Sequence, residues 1–195
     1  MITPLPRRES NTPADGEDRA AVAKLDFIRA MRNVVSGVAI ITTLYESRPW
    51  GMTVSAFTTV CAEPPTLMIC VNTRTVLAAA LDEGSRFGVN VLSQDQEFLS
   101  RACAQSGSTK FLDAYLDLGA DGSSSGDLLL PASVAAFDCV VTDSRTVGTH
   151  LVVMGAVRRV ATSDRVPLLY GAGSYQCSTS EWAPDKAMHR ALAWA

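Results

Sequence analysis

The chain has 195 residues, of which 47% are hydrophobic and 19% are charged, so it suits one globular domain with a sizeable core. Its net charge of -3 argues against a nucleic-acid partner, because such proteins usually present a basic face. No segment approaches the roughly 20 consecutive apolar residues that a membrane-spanning helix needs. The five cysteines are scattered and the histidines number two, which predicts no metal site and a cytoplasmic protein with reduced thiols.

The first third of the chain predicts an arm, a helix and a hairpin, in that order. Residues 1–17 hold three prolines and no apolar periodicity, which indicates a flexible arm before a domain spanning residues 18–180. From Asp18 to Arg32 the apolar residues recur at helical spacing. Residues 34–44 and 50–60 are rich in β-branched side chains and are separated by a turn that contains Pro49, so they predict a β-hairpin.

The second strand of this hairpin has two chemically different faces, because side chains alternate along a strand. Four apolar side chains share one face and three hydroxyl side chains share the other: Met52, Val54, Ala56 and Val60 against Thr53, Ser55 and Thr59. A hydroxyl-lined face can hold a polar planar ligand. An ordinary half-exposed strand shows the same alternation, and the alternation alone favours that ordinary strand.

A second candidate site follows the apolar strand predicted at residues 66–71. Asn72, Thr73, Arg74 and Thr75 form a polar break, and Thr75 is a possible N-cap for a short helix over residues 76–81. Amides at a helix start, together with an arginine and two hydroxyls, can receive a phosphate. The commoner use of such residues is a capped surface turn with a solvated arginine.

The remaining segments complete a mainly β chain. Residues 87–92 predict a strand in which Asn90 interrupts apolar neighbours, so its amide needs a partner, either a ligand or a neighbouring backbone. A helix is predicted over residues 93–104, with Phe98 and Leu99 facing inwards, and a long surface segment follows over residues 105–126. The last elements are strands at residues 135–143 and 150–160, a turn at residues 145–148 between them, and a mildly helical tail at residues 181–195. Six or seven strands with a few flanking helices favour closure into a β-barrel.

Five blocks of the chain, taken in order, resemble the flavin reductase-like family of FMN-binding split barrels. They are FIRAMRNVVSGVAIITT (27–43), WGMTVSAFTTVCAEPPTLMICVN (50–72), RFGVNVLSQDQ (86–96), GTHLVVMGAV (148–157) and PLLYGAGSY (167–175). The block GMTVSAFTTV followed by EPP is the most specific of them, and together the blocks span about three quarters of the chain. The resemblance implies a split barrel that reduces FMN or FAD with NADH or NADPH for a two-component monooxygenase.

The resemblance also implies a homodimer with a flavin in a groove near the subunit interface. In that family the strand matching residues 53–56 lies along the flavin ring, the turn matching residues 72–75 lies near the phosphate, and the strand matching residues 87–90 closes the other side. The cofactor-binding residues predicted in this way are Met52, Thr53, Val54, Ser55, Ala56, Asn72, Thr73, Arg74, Thr75, Phe87, Val89, Asn90 and Tyr175.

His150 is the predicted catalytic residue, because the resemblance places the matching histidine against the nicotinamide. Many members carry Gly-Asp-His where this chain has Gly148-Thr149-His150, so the carboxylate before the histidine is missing here. Hydride transfer between two cofactors needs no protein nucleophile or base, which agrees with the absence of a catalytic triad or a carboxylate pair. A non-catalytic flavin carrier or redox sensor of the same fold is the alternative, and the choices between FMN and FAD and between NADH and NADPH stay open.

Overall fold

The computed structural model describes residues 24–116 and 128–176, and the predicted arm (1–17) and tail (181–195) lie outside them. Three α-helices are present in these two ranges: α1 (Lys24–Arg32), α2 (Val76–Ala80) and α3 (Glu97–Ala104), the last preceded by a 3₁₀ turn at Gln94–Gln96. The strands are β1 (Ser36–Gly37), β2 (Ala39–Tyr45), β3 (Arg48–Val54), β4 (Phe57–Ala62), β5 (Pro65–Asn72), β6 (Arg86–Val91), β7 (Ala135–Val147), β8 (His150–Thr162), β9 (Leu169–Gly171) and β10 (Ser174–Gln176).

Seven strands form one antiparallel sheet in the order β3-β2-β6-β7-β8-β5-β4. The two outer strands of this order, β3 and β4, follow one another in the chain with only Ser55 and Ala56 between them. The Ala56 carbonyl accepts a hydrogen bond from the Cys70 amide at 2.9 Å, which extends the β4–β5 ladder into the bend. The sheet therefore closes on itself through this bend, and the predicted β-barrel is confirmed.

The bend also corrects the prediction of one continuous strand over residues 50–60. Side-chain alternation holds as far as Val54, which is buried, and is then broken at Ser55 and Ala56, which are both exposed. A second irregularity between Thr59 and Cys61 shifts the β4–β5 register. Val60, predicted on the core face, is 47% exposed, and it lies in a strand whose residues 58–62 are all exposed.

Strand β2 is buried on both faces and separates two hydrophobic clusters. Ala39 and Ile41 point into the barrel interior, and Val38 and Ile40 pack in an outer cluster with Leu99 of α3. The small sheet β1-β9-β10 flanks the barrel, and Tyr175 of β10 packs against the outer cluster. Double burial explains why residues 38–41 form an unbroken apolar run rather than an alternating one.

Two further predictions about the elements were wrong. The turn predicted at residues 145–148 is shorter, because β7 continues to Val147 and pairs there with His150. The connection contains only Gly148 and Thr149, and Gly148 has a φ of 58°, which favours glycine. In α3, Leu99 is buried as predicted, but Phe98 is 58% exposed, because neighbouring helix positions face different directions.

In the two described ranges, no helix has both the length and the apolar character needed to cross a bilayer.

Candidate active site

A cleft opens beside the bend between β3 and β4. Its smaller lobe, of about 200 Å³, is lined by Val38, Thr53, Val54, Ser55, Ala104, Tyr170 and Tyr175. A second lobe of about 430 Å³ shares Ala104, Tyr170 and Tyr175 with the first and adds Arg101, Gln105, Gly173 and Ser174. The predicted ligand strand and the predicted Tyr175 therefore line one continuous cleft.

Helix α3 fixes both walls of this cleft. The Thr53 hydroxyl donates to the Ser100 carbonyl at 2.7 Å, and the Ser100 hydroxyl lies 2.8 Å from the Tyr175 hydroxyl. The guanidinium of Arg101 lies 4.7 Å from the centre of the Tyr175 ring and also forms an ion pair with Glu97 at 2.7 Å. Tyr175 is thus held at its hydroxyl and at its ring, so its position does not depend on a ligand.

The predicted phosphate turn at residues 72–75 is well ordered by its own hydrogen bonds. Thr75 is the N-cap of α2 as predicted, because its hydroxyl accepts from the Ala78 amide at 3.2 Å. The same hydroxyl donates to the Asn72 carbonyl at 2.7 Å, and the Arg74 amide donates to Asn72 Oδ1 at 3.0 Å. These bonds use the Thr75 hydroxyl, and the Arg74 side chain is exposed.

His150 begins β8 at the end of the β7–β8 hairpin and is paired with Asn72 of β5. Its side chain is exposed, and its Nδ1 lies 3.0 Å from the Thr149 hydroxyl. The Thr149 carbonyl accepts from the Thr73 amide at 3.0 Å and from the Thr73 hydroxyl at 3.2 Å. The structure therefore joins the predicted catalytic histidine to the predicted phosphate turn.

Strand β5 connects these two groups of residues. The bend at Ala56 is hydrogen-bonded to Cys70, and Asn72, two residues further along β5, is paired with His150. The bend, the turn and the histidine are therefore neighbours on three adjacent segments. The residues that meet here are separated in sequence by as many as 95 positions, from Ser55 to His150.

Three of the predicted cofactor-binding residues lie in the protein interior instead. Phe87, Val89 and Asn90 are each 0% exposed. Phe87 and Val89 point into the barrel, whereas the Asn90 side chain points outwards and bonds to the backbone of residues 128–130. Its Nδ2 donates to the carbonyls of Ile40 and Leu128 at 3.1 and 3.3 Å, and its Oδ1 accepts from the Leu130 amide at 2.7 Å. Neighbouring backbone thus satisfies the amide, and we leave these three residues out of the site proposed below.

Two of the described cysteines are buried. Burial raises the pKa of the Cys103 thiol to about 11 and that of the Cys139 thiol to about 12, so both remain protonated at neutral pH. Exposed Cys61 borders a separate hollow of about 340 Å³ between β4, β5 and β8, which is lined mainly by apolar residues and by none of the predicted site residues. Within the described ranges, no cluster of three acidic, histidine or cysteine side chains is placed to hold a metal ion.

Sequence reasoning did not identify Tyr170, Arg101 and Gln105 as cleft residues. Tyr170 is 39% exposed and meets the Tyr175 ring edge-to-face at a centroid distance of 5.4 Å. It is adjacent to a glycine in the block PLLYGAGSY, but nothing in that block distinguishes its role from that of Tyr175. In the sequence, Arg101 has the pattern of an ordinary helix-surface arginine. In the fold, the pairing of β9 with β10 brings the Tyr175 ring beneath its guanidinium.

The comparisons with known proteins identify the family of the chain. The family model described as "Flavin reductase like domain" matches residues 31–178. The chain therefore belongs to the flavin reductase-like domain family.

Named relatives are similar over most of their length. A flavin reductase (NADPH) of Lentzea aerocolonigenes is 34% identical over 169 residues, which cover 85% of this chain and 94% of that protein. The reductase component of the FADH(2)-dependent resorcinol hydroxylase of Rhizobium sp. (strain MTP-10005) is 37% identical over 158 residues, covering 80% and 87% of the two chains. A solved structure, the NADH:FAD oxidoreductase SgcE6 of Streptomyces globisporus C-1027 in complex with NAD and FAD fragments, superposes with a TM-score of 0.69 at 27% identity, covering 83% of this chain and 94% of that one.

Replacing Asn90 by alanine is expected to lower the free energy of unfolding by roughly 2–4 kcal/mol, because buried backbone groups lose their partners. Flavin affinity of the folded variant should be unchanged. Urea unfolding and flavin fluorescence quenching measure the two quantities, with the exposed Asn33→Ala as the matched control. A variant of native stability that binds flavin more weakly would return Asn90 to the ligand-binding residues.

Proposed function

We propose that the chain is an NAD(P)H-dependent flavin reductase that reduces FMN or FAD with NADH or NADPH and supplies the reduced flavin to a partner monooxygenase. The observation that carries this proposal is the meeting of the β3–β4 bend, the turn at residues 72–75 and His150 around the end of β5. Membership of the flavin reductase-like family supports the same reaction. The Rhizobium relative, named as a reductase component, supports a separate monooxygenase as the acceptor.

The cleft beside the bend fits a flavin in size and chemistry. Its lobes of about 200 and 430 Å³ fall in the usual range for ligand sites when they are joined. The Ser55 hydroxyl is exposed and makes no hydrogen bond to the described residues, so it is available to a polar ring edge. Residues 52–56 supply the wall along the ring, Tyr175 supplies an aromatic edge, and Arg74 supplies a cation for the phosphate end.

The protein residues contribute to this reaction by positioning the flavin and the nicotinamide cofactor. When bound, the flavin supplies a ring system that accepts a hydride from the nicotinamide cofactor. Thr53 and Tyr175, held by Ser100 of α3, keep the walls of the cleft at a constant separation. His150 contacts the nicotinamide cofactor and orients it, and the turn at residues 72–75 anchors the flavin phosphate. Accurate placement of two reactants lowers a barrier by roughly 7–11 kcal/mol in favourable cases.

We propose a homodimer, because helix α1 leaves its apolar side chains uncovered in a single chain. None of its residues is buried. Leu25, Phe27 and Met31 are 64%, 60% and 49% exposed, and the following Val34 and Val35 are 52% and 58% exposed. Several large, exposed apolar side chains on one short helix and the segment after it are typical of a protein interface. The dependence on NADH or NADPH, together with the free thiols among the described cysteines, supports the cytoplasmic location expected from the sequence.

Sedimentation equilibrium is expected to give twice the chain mass of 20.8 kDa for the wild type. Phe27→Glu should shift the protein towards the monomer, because a charge in an apolar interface is costly to bury. Lys24→Glu, which changes a charge on the same exposed helix, should leave the dimer intact. A wild type that is monomeric at micromolar concentration would contradict the proposed interface.

The proposed reaction is tested by mixing the purified protein with NADH or NADPH and FMN or FAD in the four combinations. Flavin-dependent loss of the reduced-nicotinamide absorbance is expected in at least one combination, and the ranking of kcat/KM assigns both preferences. Flavin binding without turnover in any combination would replace the reductase by a carrier or sensor. Absence of both binding and turnover would reject a flavin function.

His150→Ala is expected to raise the KM for the nicotinamide cofactor about 2- to 10-fold, the effect of losing one net hydrogen bond, and to leave flavin affinity nearly unchanged. Steady-state kinetics and fluorescence quenching separate the two effects. Thr146→Val, on the exposed part of the same hairpin, is the matched control and should behave as the wild type. Unchanged KM and kcat in His150→Ala would remove His150 from the site.

A further inference from the structure

Among the described residues, the Thr149 side chain has one hydrogen-bond partner, the His150 ring. Its hydroxyl lies 3.0 Å from His150 Nδ1, and this is its only hydrogen bond to the described residues. Its backbone is fixed independently, because its carbonyl accepts from both the amide and the hydroxyl of Thr73. The preceding Gly148 forms the tight end of the hairpin. The Thr149 hydroxyl is therefore held beside Nδ1 by backbone contacts that do not involve its side chain.

A hydroxyl beside one ring nitrogen influences which of the two nitrogens carries the proton. A neutral imidazole has one N–H donor and one acceptor nitrogen, and a hydroxyl can donate or accept. Within the described residues, Nδ1 is the only acceptor that the Thr149 hydroxyl hydrogen can reach at hydrogen-bond distance. Donation to Nδ1 is the arrangement that uses this hydrogen, and it places the ring proton on Nε2.

We infer that Thr149 is a positioning residue that holds neutral His150 in the Nε2–H tautomer, so that Nε2 is the ring nitrogen that donates a hydrogen bond to the nicotinamide nucleotide. A carboxylate at position 149 would have the opposite effect, because it only accepts hydrogen bonds and would draw the proton to Nδ1. The preferred partner of Nε2 is then an acceptor oxygen of the nicotinamide nucleotide, such as its carboxamide carbonyl. This inference rests on the proposed role of His150 in the flavin reductase reaction.

The tautomer is measured directly by long-range ¹H–¹⁵N NMR of the imidazole rings at a pH where they are neutral. The chain contains two histidines, so His189→Asn assigns the His150 signals. We expect the Nε2–H pattern in the wild type and in Thr149→Ser. Thr149→Val should move the His150 shifts towards those of the urea-unfolded protein, where the tautomers average, and Thr149→Asp should move the proton to Nδ1.

The kinetic arm uses the same variants. Thr149→Val should raise the KM for the nicotinamide cofactor about 2- to 10-fold with kcat and flavin affinity unchanged, and Thr149→Ser should restore the KM. Thr146→Val is the matched control for a methyl-for-hydroxyl change on the hairpin.

An Nδ1–H pattern in the wild type would overturn the inference. So would Thr149→Val with the shifts and the KM of the wild type. The NMR arm needs no cofactor, so it decides the inference even if the wild type oxidises neither NADH nor NADPH, a result that would reject the proposed function instead.

Discussion

The closure of the barrel depends on one bend, at Ser55 and Ala56. On one side of it the chain is β3 and pairs with β2, and on the other side it is β4 and pairs with β5. An open sheet has an unpaired strand at each of its two edges. Here the two edge strands, β3 and β4, are one stretch of chain joined by the bend, which brings the two edges together. The bend exposes Ser55 and Ala56, and Ser55 lines the cleft, so the segment that closes the barrel also borders the cleft.

Burial and hydrogen bonds in the protein interior hold the neighbouring strands β2 and β6 in place. Strands β2 and β6 are buried on both faces. The Asn90 amide joins β6 to β2 through two hydrogen bonds and to residues 128–130 through two more. A buried polar network whose members are all satisfied holds one arrangement more specifically than apolar contacts alone. Asn90 therefore serves the site indirectly, by stabilising the strand that pairs with β3.

The long β7–β8 hairpin brings a distant part of the sequence to the same place. Its residues 142–150 are exposed, and its tip is held to the turn after β5 by the two bonds between Thr149 and Thr73. Contacts on a backbone carbonyl leave the side chains of Thr149 and His150 available for other interactions. This arrangement suits a reaction in which the cofactors carry the chemistry and the protein contributes orientation and hydrogen bonds.

The sequence by itself determined the β-rich character of the chain, most of the strands, the Thr75 cap and, through five blocks in order, the family. These features depend on local periodicity, capping chemistry and short patterns, which are properties of neighbouring residues. The relation between the segments was decided only by the tertiary structure. The bend within residues 50–60 follows from the barrel closing. Arg101 and Tyr170 reach the cleft because α3 packs against β3, Tyr175 of β10 contacts α3, and β9 pairs with β10.

The same limit explains why the burial of three predicted cofactor-binding residues was not evident from the sequence. Phe87, Val89 and Asn90 belong to a specific sequence block, and the block alone does not state which side of a doubly buried strand faces a ligand. The contacts of Asn90 include residues 128–130, about 40 positions away in the chain. Burial and hydrogen-bond partners are set by such long-range contacts, so a local pattern identified the strand correctly while the packing of the whole chain decided what its side chains do.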